Sequence, residues 1–456
     1  LRLVVTRTGL YQAAMPVIDI VAANEILPEK ADAVIVGAGI IGVVTALELS
    51  ERGLFVVVVE KGEVACEQSS RNWGWCRQMG RDPREIPLIR VGLEKWRGMN
   101  ARVRAETGFR QCGILYMSET DAEFADREKW YLEIAVPHKL NTRLLSTKDV
   151  AQLAPGSLKT WRGGLFTAED GRAEPFIAVP AMARALQARG GMVFTSCAAR
   201  GIEMSAGRVS ALVTEKGTIR TDTVLVAGGY WSRRFLGNAG VKFPQLGVVN
   251  SAMRTSQRDA GFKHTVSGGN YTVRHRLDGG YTITHNHLSV AELTPSHFRQ
   301  FMTFRPLLQL DRKGIKVKLG TRYFKEMIMR KQWRLDERSP FERLRILDPK
   351  PHARILNEAL VALQRDFPAF QDIPVIERWA GMIDATPDAV PVIDAIAKIP
   401  GLFVASGFSG HGFGLGPGAG KLMAEIITGE KTCVDPAPFK HGRFGWFSKP
   451  HPTTGL

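Results

Sequence analysis

Cysteine is scarce and poorly placed for cross-linking. The five residues (66, 76, 112, 197 and 433) are odd in number, scattered, and form no Cys-x-x-Cys pair. That argues against a disulfide framework or a zinc site and for a reducing compartment. Long apolar runs are missing too. Residues 10–23 fall short of the roughly 20 residues that span a bilayer and include Asp19. Nor do they follow the charged, apolar, small-residue order of a secretory signal. Acidic charge is in deficit, since 61 Lys+Arg against 45 Asp+Glu leaves a net charge of +16. Eleven of the bases and only two acids, Asp311 and Glu326, lie within residues 299–334. They are mixed with Phe301, Phe304, Leu307, Leu308, Met327 and Ile328. The stretch reads either as a basic amphipathic surface for anionic lipid or as a solvated face with apolar stems. No zinc-finger or RNA-binding aromatic signature accompanies the charge, so nucleic acid is not an expected partner. What remains is an ordinary globular balance, 456 residues with 44% hydrophobic and 23% charged. That is enough for a sizeable core and more than one structural unit.

Residues 1–31 show weak periodicity and read as an N-terminal extension. A short apolar strand, 33–36, then runs into Gly37-Ala38-Gly39-Ile40-Ile41-Gly42. A helical pattern follows to Arg52-Gly53, and a β-branched strand over 55–59 closes on Glu60. Gly37 permits the tight turn, Gly39 lets a pyrophosphate approach the backbone, and Gly42 allows close helix–strand packing. The helix start at Ile40 and Ile41 offers unpaired N–H groups to phosphate, and Glu60 accepts hydrogen bonds from ribose hydroxyls. The spacing predicts a dinucleotide site.

Two later segments select the dinucleotide. Strand 223–226 ends in Ala227-Gly228-Gly229, and strand 401–406 enters a glycine-rich loop over 407–418 that feeds a helix from 419 to 428. A second helix N-terminus suits a flavin, whose pyrimidine carbonyls gather negative charge on reduction; a nicotinamide ring has no such need. FAD is the expected cofactor. The alternative from another class is a non-catalytic or NAD-binding Rossmann protein.

Segments 37–42, 224–229 and 407–413 together resemble the FAD-dependent D-amino-acid oxidase and glycine/sarcosine oxidase superfamily. Segments 51–54, 59–62, 67–71, 197–201, 213–217 and 339–342 are most similar to bacterial L-amino acid deaminases. The resemblance implies an α/β + β fold: a Rossmann-like FAD domain of glutathione-reductase type, a β-sheet-rich substrate domain and a helical insertion. The expected FAD domain is 32–117, 173–245 and 377–446. The substrate domain is 118–172 and 246–376, with the basic insertion at about 297–345. The implied reaction is oxidative deamination, an L-amino acid favoured, by hydride transfer from Cα–H to flavin N5. The imine formed hydrolyses to a 2-oxo acid and ammonia. A secondary-amine, D-amino acid or imino acid oxidase of the same superfamily is the alternative. Oxygen or a quinone is the expected electron acceptor. In membrane-associated deaminases the insertion is linked to the membrane, so a bacterial cytoplasmic protein, open to peripheral attachment, is expected. Their N-terminal transmembrane helix has no counterpart in this sequence, and integral attachment is not expected.

The resemblance also names residues. For the cofactor they are Gly37, Gly39, Ile40, Ile41, Gly42, Glu60, Lys61, Ser69, Ser70, Arg71, Ala199, Ala227, Gly228, Gly229, Gly381, Gly407, Gly410, His411, Gly412 and Phe413. Gly381 stands where sarcosine oxidase bears its flavin-linking cysteine, so FAD is expected to be noncovalent; no metal is expected. For the substrate carboxylate Arg274 is the first candidate, in a hairpin around Asp278-Gly279. Arg77, with Gln78 beside it, comes next, and Arg322 third. Trp379 is a candidate pocket wall, and His411 either touches the flavin or caps its loop. Three departures leave the substrate open. Gly381-Met382-Ile383-Asp384 replaces a Gly-Leu-Arg-Pro segment, Asn286 stands where the deaminases carry an arginine, and Gly414 replaces a lysine.

Overall fold

The structure, a computed structural model, describes residues 17–444 apart from 287 and 313, and residues 450–453. Residues 1–16 of the expected extension and 445–446 of the expected FAD domain lie outside the described residues. Apolar strands without polar alternation have to be buried on both faces, and here they form a six-stranded sheet. Its order is Val392–Ala395, Leu402–Ser406, Val224–Val226, Ala33–Val36, Val56–Val59, Met192–Phe194. Neighbours are parallel except at the Val392–Ala395 edge. Helices Ile40–Glu51, Ile86–Arg97, Pro175–Gln187 and Gly412–Thr428 cover one face, packing on Ala33, Ile35, Val56 and Val58. A three-stranded sheet, Ala199–Ser205, Arg208–Thr214 and Gly217–Arg220, covers the other through Val209, Leu212 and Ile219. Residues 17–31 are pinned alongside, with Asn24 N donating to Val193 O at 2.8 Å.

The last helix corrects the sequence reading. It starts at Gly412, inside the segment expected to be loop. A Cβ on Gly418 would lie 2.5 Å from Leu88 O, and one on Gly420 2.6 Å from Val44 Cγ1. These glycines serve a close crossing of helices, not chain flexibility.

A ten-stranded mixed sheet forms the second layer. Its centre is Leu246–Thr255 paired antiparallel with Val375–Ala385. Ile114–Ser118 also belongs there, between Thr265–Gly268 and Gly163–Thr167. Both elements therefore cross the boundaries expected at 117 and 377, because only the partner strands satisfy their backbone N–H and C=O groups. The expected hairpin is present as Tyr271–His275 and Tyr281–Thr284. The insertion contains helices Pro295–Arg299, Phe301–Leu310 and Thr321–Ile328, with strand Ile315–Leu319 lying parallel to Ser289–Leu293. Among the described residues, no helix is long and apolar enough to cross a membrane.

Arg274, on the hairpin, is 1% exposed, and its Nη1 and Nη2 donate to Glu174 Oε1 and Oε2 at 2.9 and 3.2 Å. Arg172 and Arg276 also face Glu174, at 3.5 and 3.8 Å. Burial works to raise the Glu174 carboxyl, but the Arg274 charge and hydrogen bonds, the Arg276 charge and Leu277 N–H together outweigh it and hold the group below the ordinary carboxylate range. Glu174→Ala leaves these guanidiniums without their shared carboxylate and is expected to destabilise the fold by about 3–5 kcal/mol. Urea unfolding reads this directly; a midpoint equal to wild type would remove the cluster from the account of stability.

Candidate functional site

A cavity of about 1190 Å³, counting the part open to solvent, runs along the carboxyl ends of the parallel strands. That is where open α/β sheets bind ligands. At one end, Glu60 is held by two backbone donors, Ala38 N to Oε2 at 2.9 Å and Gly62 N to Oε1 at 2.8 Å. Burial pushes the carboxyl up, against the Lys61 charge and those two N–H groups. Gly37 has φ +110°, and a Cβ there would meet Ala227 O at 2.6 Å, so the turn admits only glycine. Ile40 N, at the first helix start, donates to Ser69 Oγ at 2.9 Å.

Fourteen of the expected cofactor residues line this cavity: Gly37, Gly39, Ile40, Ile41, Glu60, Lys61, Ser69, Ala199, Ala227, Gly228, Gly229, Gly410, Gly412 and Phe413. Six do not, and each has another role. Gly42 packs on Gly37 O, which would lie 2.0 Å from a Cβ, and a Cβ on Gly381 would likewise meet Gln68 Oε1 at 2.2 Å. Gly407 turns against Thr386 with φ +77°. Ser70 donates to Glu67 O, and buried Arg71 donates to Cys66 O, Leu347 O and Ala380 O, tying segments together. His411 turns its Nδ1 to Glu85 at 2.9 Å. Sequence reasoning missed Gln68, Asn72, Tyr230, Met382 and Asp384, all of which line the cavity. Asp384 accepts from Gly407 N at 2.7 Å and Gln245 Nε2 at 3.2 Å, and burial pushes it up to about 6. No motif marks it, because its role depends on the strand pairing that brings it to the glycine loop.

The substrate candidates are also redistributed. Arg274 is committed to Glu174, so its fork is not available to a substrate carboxylate; this corrects the sequence expectation. Trp379 is a core residue, 2% exposed, donating from Nε1 to Arg71 O at 3.1 Å and meeting Phe176 edge-on. Gln78 is buried, its Nε2 at 3.3 Å from Glu169 Oε2. Arg77 lies over the Trp75 and Tyr116 rings and donates to Met79 O. Asn286 donates to Gly269 O at 2.7 Å. Arg322 alone of these arginines touches the cavity wall: Nη1 lies 3.5 Å from Met382 Sδ and Nη2 3.3 Å from Tyr230 Oη. Among the described residues, no cluster of three or more His, Cys, Asp or Glu could hold a metal ion.

Residues 32–426 match the family model DAO, FAD dependent oxidoreductase. The chain belongs to that family. Its structure is similar to the L-amino acid deaminase from Proteus myxofaciens in complex with anthranilate, at 32% identity and TM-score 0.91. That likeness covers 97% of this chain and 100% of the deaminase. Glycine oxidase of Pseudomonas aeruginosa is 23% identical, over 89% of this chain and 97% of its own length. A 4-methylaminobutanoate oxidase (formaldehyde-forming) of Paenarthrobacter nicotinovorans is 24% identical over 89% of this chain, which spans 45% of that relative. The cofactor of this DAO protein is FAD, and the site fits it. Glu60 is placed for a ribose, two helix starts face the cavity, and buried Gln68 Oε1 has no hydrogen-bond partner among the described residues. Cys66 lines the cavity, but burial pushes its thiol up, away from the reactive thiolate.

Gly39→Val is expected to fold but to lose its flavin, since a Cβ at Gly39 already lies 3.0 Å from Ser69 Oγ where the pyrophosphate approaches. Absorbance of the purified variant checks this, and a flavin-replete variant would misplace the site. Acid precipitation of the wild type should leave a colourless pellet, as noncovalent FAD requires.

Proposed function

We propose that the protein oxidises L-amino acids to 2-oxo acids and ammonia by FAD-dependent deamination. The likeness to the Proteus deaminase along nearly the whole of both chains carries this reading. Bound FAD supplies the two-electron acceptor for the Cα–H hydride. The chain supplies orientation and electrostatics. Arg322, on helix Thr321–Ile328 of the insertion, is the carboxylate clamp in this reading. Its fork reaches the cavity wall, and its ion pair with Glu292, at 3.6 Å, is longer and less tightly engaged than the bidentate Arg274–Glu174 contact. Val248, Ala291 and Ile383, with Ile315 packed against them, form a buried apolar cluster that joins the second sheet to the insertion carrying Arg322.

Anaerobic mixing with a panel of amines is the test. L-amino acids should bleach the flavin and D-amino acids should not; bleaching by sarcosine-like amines alone would replace the reading with a secondary-amine oxidase. Arg322→Ala should keep its FAD and lose roughly 30- to several-thousand-fold in kcat/KM, the effect of an unpaired carboxylate at about 2–5 kcal/mol. Lysine should rescue only in part, lacking the planar fork.

The insertion is, in the same proposal, a peripheral anchor to anionic lipid, with a membrane quinone as electron acceptor. Phe298, Phe301, Met302, Phe324, Met327 and Ile328 are between 54% and 78% exposed. They stand among exposed Arg305, Lys316, Lys318 and Lys325. Apolar surface on this scale, set in basic charge, is the composition of an interfacial surface. The protein should sediment with vesicles of phosphatidylserine and phosphatidylcholine at low salt, and added salt should weaken the binding. Protein left in the supernatant at low salt would remove the anchor.

A further inference from the structure

Behind the cofactor cavity, a buried contact joins the starts of two helices. Glu85, 0% exposed, turns both carboxylate oxygens to His411 Nδ1, at 3.1 and 2.9 Å. Glu85 caps Ile86–Arg97, its carbonyl accepting from Ile89 N at 2.9 Å. His411 caps Gly412–Thr428, its carbonyl accepting from Leu415 N at 3.3 Å. Arg81 lies alongside, 2% exposed, and burial together with the Arg77 charge pushes its guanidinium down to about 9. Burial and then the Arg81 charge hold the His411 ring below its ordinary range despite the carboxylate. Glu85 turns carboxylate oxygens to the ring, so Nδ1 carries the hydrogen and donates to it. From outside, Arg84 braces the same segment on Asp82 and Asp388, and Thr453 donates to Asp82.

We propose that Glu85 is a positioning residue for the flavin: by holding His411, it fixes how the Gly412–Phe413 turn meets the cofactor, and so how strongly a negative flavin is stabilised. Gly412 and Phe413 line the cavity, and the next residues are locked by the contact of Gly418 with Leu88 O. The crossing point is thus set by glycine, and the angle at the helix start by the Glu85–His411 bond. A helix N-terminus acts over about its first turn, so a small tilt there changes the charge the flavin meets. The inference rests on FAD binding alone and stands whichever amine is the substrate.

Sulfite, which adds to flavin N5 and leaves negative charge on the ring, reads this without turnover. In the holoenzyme, Glu85→Leu should bind sulfite about 5- to 30-fold more weakly, the range a helix terminus spans, with a lowered midpoint potential. Glu85→Gln, whose Oε1 still accepts from Nδ1, should stay within about threefold of wild type. His411→Phe, which keeps the ring and loses the donor, should match Glu85→Leu, and the double variant should be no worse than either single. If Glu85→Leu fails to fold or hold FAD, His411→Phe carries the same comparison. Unchanged sulfite affinity in flavin-loaded His411→Phe, or a potential that rises in Glu85→Gln and Glu85→Leu alike, would overturn the proposal; the second result would mean that only the carboxylate charge matters.

Discussion

A dinucleotide needs backbone N–H groups that no other part of the protein has used, and helix N-termini are where a folded chain has them. Here two helix starts, those of Ile40–Glu51 and Gly412–Thr428, come from opposite ends of the sequence to one cavity, with Ile40 N itself held by Ser69 Oγ. They can do so because Ile40–Glu51 and Gly412–Thr428 approach at glycine distance, a Cβ on Gly416 lying only 2.9 Å from Ile40 Cδ1. The parallel sheet beneath fixes the height of both starts, since Ala33–Val36 and Leu402–Ser406 each pair with Val224–Val226. The second sheet then closes the cavity from above, tied down where Asp384 accepts from Gly407 N.

The nucleotide-binding strands, the first helix and the hairpin were legible because each is local: a β-branched run, a glycine spacing, an Asp-Gly turn. Gly412–Thr428 was only partly legible. Four glycines in seven residues from Gly412 to Gly418 look like loop in one dimension. They become helix only when Leu88, Gly92 and Ile40 are known to press against them. Val375–Ala385 was divided at 377 between the two expected domains for a similar reason. Its pairing with Leu246–Thr255 spans more than a hundred positions, and no local signal reports such a partner.

Charge was harder still. Arg274 and Arg322 are indistinguishable as letters, each a guanidinium in a chain rich in arginine. What separates them is the company each keeps. Arg274 shares its carboxylate with Arg172 and Arg276 in a nearly dry cluster, where removing a partner costs more than the pair contributes. Arg322 is partly exposed, laid over the Tyr230 ring at 5.5 Å, and offers its fork beside the cavity. An arginine paired through both nitrogens of its fork holds the fold; one with a single, longer ion pair, as Arg322 has with Glu292, keeps hydrogen-bonding capacity for a ligand.

The strand over the cavity sharpens this argument. Gly381, Met382, Ile383 and Asp384 place no cation there, and the nearest charge they bring is a carboxylate. An anionic group of a substrate has to find its counter-charge on another element, and the insertion supplies Arg322 to the same wall from outside the sheet. The module that carries Arg322 also carries the exposed apolar side chains Phe324, Met327 and Ile328 on the same helix. In the proposed reading, lipid contact and substrate grip are therefore mechanically linked. On that proposal, a shift of Thr321–Ile328 against a membrane would move Arg322 relative to Met382 and Tyr230, while the two helix starts beside the cavity would stay fixed in the sheet below.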